Sequence, residues 1–130
     1  MPATYFPEQE TTEVLEAVAS IAADAEEKGT VIVHCELRGA LHGGARIWPS
    51  TYLIEEDGSR RQLLHAFNIG HYPNYMLVNQ EPYVFTLIFE GLSRGCGIFS
   101  LLEDIPQEGG FYADNILRNQ TDVYRVEVLG

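Results

Sequence analysis

Tyr83-Val84-Phe85-Thr86-Leu87-Ile88-Phe89-Glu90 is the stretch on which the fold turns. It is uncharged until Glu90 and rich in aromatic and β-branched side chains. A buried helix needs roughly 10–12 residues or more, so a run this short reads as a strand covered on both faces. Such a strand belongs in the middle of a packed layer and requires strands beside it.

Residues 30–38 supply one. Val31, Val33, Cys35 and Leu37 fall on one face, and Ile32, His34, Glu36 and Arg38 on the other. That period of two, with one polar face, predicts a strand in a sheet whose second side lies nearer water. Residues 46–54 and 60–67 read as a hairpin around Glu55-Glu56-Asp57-Gly58-Ser59, whose Asp-Gly pair tolerates positive φ. A two-residue turn there sets Glu55 opposite Arg60 as a weak surface ion pair. Pro49 has no N–H for a ladder, so a strand begins near it or runs along an edge. Residues 70–82 form a turn-rich connection. Ile98-Phe99-Ser100-Leu101-Leu102 is a further strand, and Tyr124, Val126 and Val128 alternate with Arg125 and Glu127 in a last one. The expected fold is therefore mainly β: an antiparallel sandwich or barrel of about seven short strands, without βαβ alternation.

Two segments stand apart. Residues 1–10 contain two prolines and little periodicity and read as a loose N-terminal arm. Over residues 12–28, Val14, Val18, Ile21, Ala22 and Ala25 fit a short N-terminal helix capped by Thr12 and Gly29. Leu15, Ala17, Ala19 and Ile21 also alternate, which admits a strand.

The chain has 130 residues and no internal repeat or linker, so residues 1–130 read as one domain. Hydrophobic residues make up 45%, enough for a core without metals or disulfides. The two cysteines, Cys35 and Cys96, are too few for a disulfide framework and fit no zinc spacing; reduced thiols are expected. The net charge of −11 opposes binding to nucleic acid and to anionic membranes. No apolar run reaches the length of a membrane helix, and the first residues lack a signal pattern, so a cytoplasmic location is expected. Lys28 is the only lysine. An acidic, lysine-poor surface fits halophilic adaptation to a salt-rich cytoplasm, where screening shortens like-charge repulsion; a GC-rich genome would deplete lysine in the same way.

No spacing specifies a catalytic set. His34 and Glu36, two apart on one strand face, could give two ligands to a metal, with no third ligand set by spacing. Arg94 could lower the pKa of Cys96. His42-Gly43-Gly44 has the look of an oxyanion loop, but no Gly-x-Ser-x-Gly elbow accompanies it. Arg118, Asn119 and Asp122 could clamp a loop. Trp48, Tyr72, Tyr75 and Tyr83 are the binding candidates. Aromatic rings near loops give large contact area for few rotors, although rings at strand ends also cap cores.

The chain also resembles a group of small uncharacterised bacterial β-sandwich proteins with an immunoglobulin-like domain. The likeness rests on Pro49-Ser50-Thr51-Tyr52-Leu53, on Ala66-Phe67-Asn68-Ile69 followed by Tyr72-Pro73, and on Phe85-Thr86-Leu87-Ile88-Phe89-Glu90-Gly91-Leu92. It continues through Phe99-Ser100-Leu101-Leu102-Glu103 and Asn115-Ile116 before Arg118-Asn119, and so covers about residues 46–128. The resemblance implies an immunoglobulin-like sandwich and a strand over residues 13–22. It carries no activity. The function expected is a non-enzymatic interaction or structural module without a cofactor, binding a protein or its own copy through loops or a sheet edge. The alternative is a small metal-dependent or thiol/His hydrolase.

Overall fold

The computed structural model describes residues 29–130. The expectations for residues 1–10 and 12–28 lie outside them. In chain order the strands are β1 (Val31–Leu37), β2 (Gly44–Ile47), β3 (Thr51–Glu55), β4 (Arg60–Phe67) and β5 (Gly70–His71), then β6 (Met76–Leu77), β7 (Tyr83–Phe89), β8 (Ile98–Glu103), β9 (Tyr112–Leu117) and β10 (Val123–Val128). Among the described residues there is no helix. The chain is mainly β, as its periodicity predicts.

β7 occupies the central position its sequence demands. It pairs antiparallel with β1 on one side and β4 on the other, and all seven of its residues are buried. Cys35 stands opposite Phe85 and Val33 opposite Leu87, so the apolar face of β1 joins the inner face of β7. The large sheet runs β10-β1-β7-β4-β3-β8-β9, and a small one runs β5-β2-β6. The pairing is not wholly antiparallel: β1 with β10, and β2 with β5, are parallel.

The large sheet curls until its two edges touch. Tyr112 and Leu129 form a bridge in which each N–H donates to the other's carbonyl, at 2.9 and 3.0 Å. Two bulges help the sheet bend, since an extra residue increases local twist. One lies opposite β8, where the register shifts between Phe99 and Leu101 and Asn115 takes a φ of 56°. The other is in β4, where Leu63 pairs with Phe89 and His65 with Ile88, leaving Leu64 as the extra residue.

One core fills the curl. Phe85, Phe89, Phe99, Leu53, Leu87 and Leu101 are fully buried there, together with Ala45 and Ile47 of the small sheet and Ile69 and Val78 beside it. Each large apolar side chain so buried contributes about 1.5–3 kcal/mol. On the other face of β1 and β7, Ile32 and Ile88 pack with Phe67 as a second, smaller cluster.

Polar side chains hold the ends. The clamp expected from Arg118, Asn119 and Asp122 is present. Arg118 Nε and Nη2 donate to the two carboxylate oxygens of Asp122 at 2.9 and 3.0 Å, and Nη1 donates to the Ser93 carbonyl at 2.6 Å. Tyr124 donates its hydroxyl proton to Asp122.

The β3–β4 turn differs from expectation. The Glu55 N–H donates to the Ser59 carbonyl, and Gly58 sits at φ 87°, so the loop is longer by one residue than a two-residue turn. The register moves with it, and Ile54 rather than Glu55 faces Arg60. Glu55 is buried and accepts from Arg61 Nε at 2.7 Å, while Arg60 pairs with Asp104. Pro49 separates β2 from β3, so residues 46–54 are two strands rather than one.

Candidate functional site

Three of the four aromatic candidates meet at one end of the molecule, around Arg46. Arg46 lies on β2 and Trp48 directly follows its last residue, Ile47; their two-residue spacing favours the same side of the chain. The Tyr72 N–H donates to the Ile47 carbonyl at 3.0 Å, drawing the following turn against β2. The Tyr72 ring then lies on Trp48, with centroids 3.8 Å apart and planes tilted by 30°. The Arg46 guanidinium stands 4.7 Å from the Tyr72 centroid, 4.3 Å from that of Tyr75 and 5.9 Å from that of Trp48, and donates to the Pro73 carbonyl at 3.1 Å. Each cation–π contact at an exposed site is worth about 0.5–1 kcal/mol. Gly44 makes room for the stack: a Cβ there would come within 2.9 Å of the Tyr75 ring.

Tyr83 does not join them. It is buried at the start of β7, and its hydroxyl donates to the Asn68 carbonyl at 2.8 Å. The ring caps the core and is not presented at the surface. Arg46, which unites the other three, carried no distinguishing signal in the sequence beyond its i, i+2 spacing to Trp48.

Two hollows flank this ridge. On the Tyr72 side is an apolar groove of about 530 Å³. On the Trp48 and Tyr75 side is a polar hollow of about 320 Å³ lined by Arg46, Arg38 and Glu103. Glu103 is only 5% exposed. Its Oε2 accepts the Trp48 N–H at 2.9 Å, and its Oε1 accepts the Phe111 N–H at 3.0 Å. Burial raises its pKa, and this outweighs the two N–H donors and the nearby Arg46 charge.

His34 and Glu36 share the outer face of β1, as the alternation predicts. His34 Nδ1 lies 2.8 Å from Thr86 Oγ1, its cross-strand partner. Glu36 pairs with Arg38 at 3.5 Å. Among the described residues no three His, Cys, Asp or Glu side chains gather in a way that could hold a metal ion. The cysteines are free thiols, both buried. The Cys35 thiol donates to the Val33 carbonyl and the Cys96 thiol to the Ile98 carbonyl. Burial pushes both pKa values up; for Cys96 the Glu55 and Glu56 charges add to it and outweigh Arg118. The activation of Cys96 by a neighbouring arginine is therefore not realised.

His34 makes stability depend on pH. Burial, with the Arg125 charge second, lowers its pKa to about 4. Below pH 6.5 the unfolded chain takes up a proton that the folded chain refuses, so stability falls as pH drops from 6.5 toward 4. After discounting for the exposed part of the ring, the loss is about 2 kcal/mol. Urea titrations across that range should show the decline, and His34→Gln should lose that share of it. Equal slopes in the two proteins would refute the assignment.

No helix among the described residues is long and apolar enough to cross a membrane. No protein-family model, curated protein or solved structure matches the chain.

Proposed function

We propose that this protein is a non-enzymatic interaction module that recognises a second copy of itself through the aromatic ridge and the adjoining edge of the small sheet. The observation that carries the reading is the exposed apolar strip of Tyr75, Met76 and Leu77, continuous with Tyr72 through the Arg46 stack. Tyr75 and Leu77 are 62% and 64% exposed, and among the described residues β6 pairs with β2 on one side only. A strand edge left open among the described residues, beside tyrosine, tryptophan and arginine side chains, combines a template for strand pairing with the residue types that dominate interface energetics. A binding role rather than a thiol-hydrolase one is supported by both cysteines being buried with their thiols donating to backbone carbonyls.

Two finer points belong to the same proposal. An immunoglobulin-like arrangement is supported by two unequal sheets sharing one interior and by the parallel pairing of β1 with β10. It must accommodate seven strands in a single curled sheet. A cytoplasmic setting, reducing and salt-rich, is supported by the free thiols and the acidic surface.

Each copy carries a net charge of −11, so self-association should strengthen as salt screens the repulsion. Sedimentation velocity from 0.05 to 2 M sodium chloride should show a dimer that grows with salt. Tyr75→Ala and Leu77→Asp should return it to monomer without lowering its melting temperature. A protein that stays monomeric at every salt concentration would overturn the reading.

A further inference from the structure

We propose that two copies of this protein join edge to edge through β6, as an antiparallel pair centred on Leu77, so that their two small sheets become one. This pairing rests on self-recognition through the ridge and fixes its register. The main chain of β6 dictates it. Along an antiparallel strand, one residue turns its N–H and C=O to the neighbour on one side and the next residue turns them to the other. The Val78 N–H donates to the Gly43 carbonyl, and the Val78 carbonyl accepts the His42 N–H, both at 2.8 Å. Val78 therefore faces the β2 side. Met76, two residues earlier and in register with Ala45, faces β2 as well. Leu77 lies between them. Its N–H and C=O face the other way, to the edge that carries no strand among the described residues. Leu77 is itself exposed, so that edge is open to solvent.

β6 consists of Met76 and Leu77, and of the two Leu77 is the one that faces outward. The symmetric pairing open to it sets the twofold axis between Leu77 and the partner's Leu77, which exchange both N–H···O=C bonds. Met76 then stands opposite the partner's Val78. A one-residue slip would bring Leu77 against Met76, whose N–H and C=O are already turned to β2. The joined sheet runs β5-β2-β6 and on through β6-β2-β5 of the second copy, with the two exposed Leu77 side chains side by side on one face. Charge permits the approach. Each copy carries a net charge of −11, so two copies repel wherever acidic surfaces meet. Residues 62–80, which span most of β4 and all of β5 and β6, contain no Asp, Glu, Lys or Arg in a chain where these make up 21%. Edge strands are ordinarily blunted by charge or proline; Asn74-Tyr75-Met76-Leu77-Val78-Asn79 carries neither.

Cysteine cross-linking reads the register. Leu77→Cys and Met76→Cys would be oxidised with diamide in 2 M sodium chloride and run on non-reducing gels beside the wild-type protein. Opposed residues of a hydrogen-bonded pair have Cα atoms about 5.5 Å apart, within disulfide range, so Leu77→Cys should link into covalent dimers. The two Met76 residues would stand about 8 Å apart, beyond that range, so Met76→Cys should link on the order of tenfold more slowly. Proline separates main-chain pairing from side-chain packing. Leu77→Pro removes an N–H that β2 does not use, so its melting temperature at low salt should stay close to that of Leu77→Ala. Leu77→Ala keeps the N–H and should retain a weakened dimer by sedimentation velocity; Leu77→Pro should have none. A dimer in which position 76 links as fast as position 77, or in which Leu77→Pro associates as well as Leu77→Ala, would overturn the pairing and leave self-recognition standing. A wild-type chain that stays monomeric at every salt concentration would overturn both.

Discussion

Phe85→Ala should destabilise the fold by about 3–5 kcal/mol, the range for removing a fully enclosed aromatic ring. Phe85 is 0% exposed on the central strand. It stands opposite Cys35 in the register of β1, and its ring lies 5.5 Å from that of Phe111. Two flanking strands fix the backbone on either side, so the cavity left behind would collapse little. Domains of this size have about 5–15 kcal/mol of stability in all, so the variant should lose a large share of it. Chemical denaturation monitored by far-ultraviolet circular dichroism would measure the loss. A change below about 1 kcal/mol would mean that this ring is not enclosed as described.

Glu103→Ala should cost about 2–5 kcal/mol, a large effect for a charged residue. Its carboxylate satisfies the N–H groups of Trp48 and Phe111, which belong to segments 63 residues apart in sequence, and removing it leaves both donors without an acceptor. Glu103→Gln should recover only part of the loss, because its amide nitrogen would face one of those N–H groups. The raised pKa of Glu103 adds a sign. The folded chain holds this proton more tightly than the unfolded one, so the residue's contribution grows as pH falls through its folded pKa toward about 4.5. Hydrogen exchange at the Trp48 and Phe111 amides should accelerate in both variants. Unchanged protection in Glu103→Ala would remove the residue from this role.

What was legible in the sequence was what periodicity can carry. β1 and β7 stand out because one alternates cleanly and the other is apolar throughout, and the structure places them side by side. β9 escapes the same reading. Its buried residues, Ala113 and Ile116, are three apart because Asp114 and Asn115 both point outward at the bulge, and this breaks the period of two. β5 and β6 have two residues each, too few for any pattern. Nothing in the sequence marks Glu103 apart from its neighbour Asp104; its role depends on Phe111 and Trp48 arriving from elsewhere. The ridge was half visible. Trp48, Tyr72 and Tyr75 carry the chemistry of contact residues, but Arg46 acquires its meaning only when a turn 26 residues later folds over it. Tyr83 shares their composition and has the opposite fate, because its strand lies at the centre.

The parallel pairing of β1 with β10 has a mechanical consequence. β1 begins near the start of the described chain and β10 ends near its finish, and the two strands point the same way. Tension between residue 29 and the C-terminal end would slide the strands along one another instead of peeling them apart. Their shared backbone contacts, from the Ile32–Val123 pair to the Leu37–Val128 pair, would resist together rather than one at a time. The β1–β10 pair is thus arranged to yield late when residues 29 and 130 are pulled apart, and sooner when the chain is pulled sideways through an internal loop.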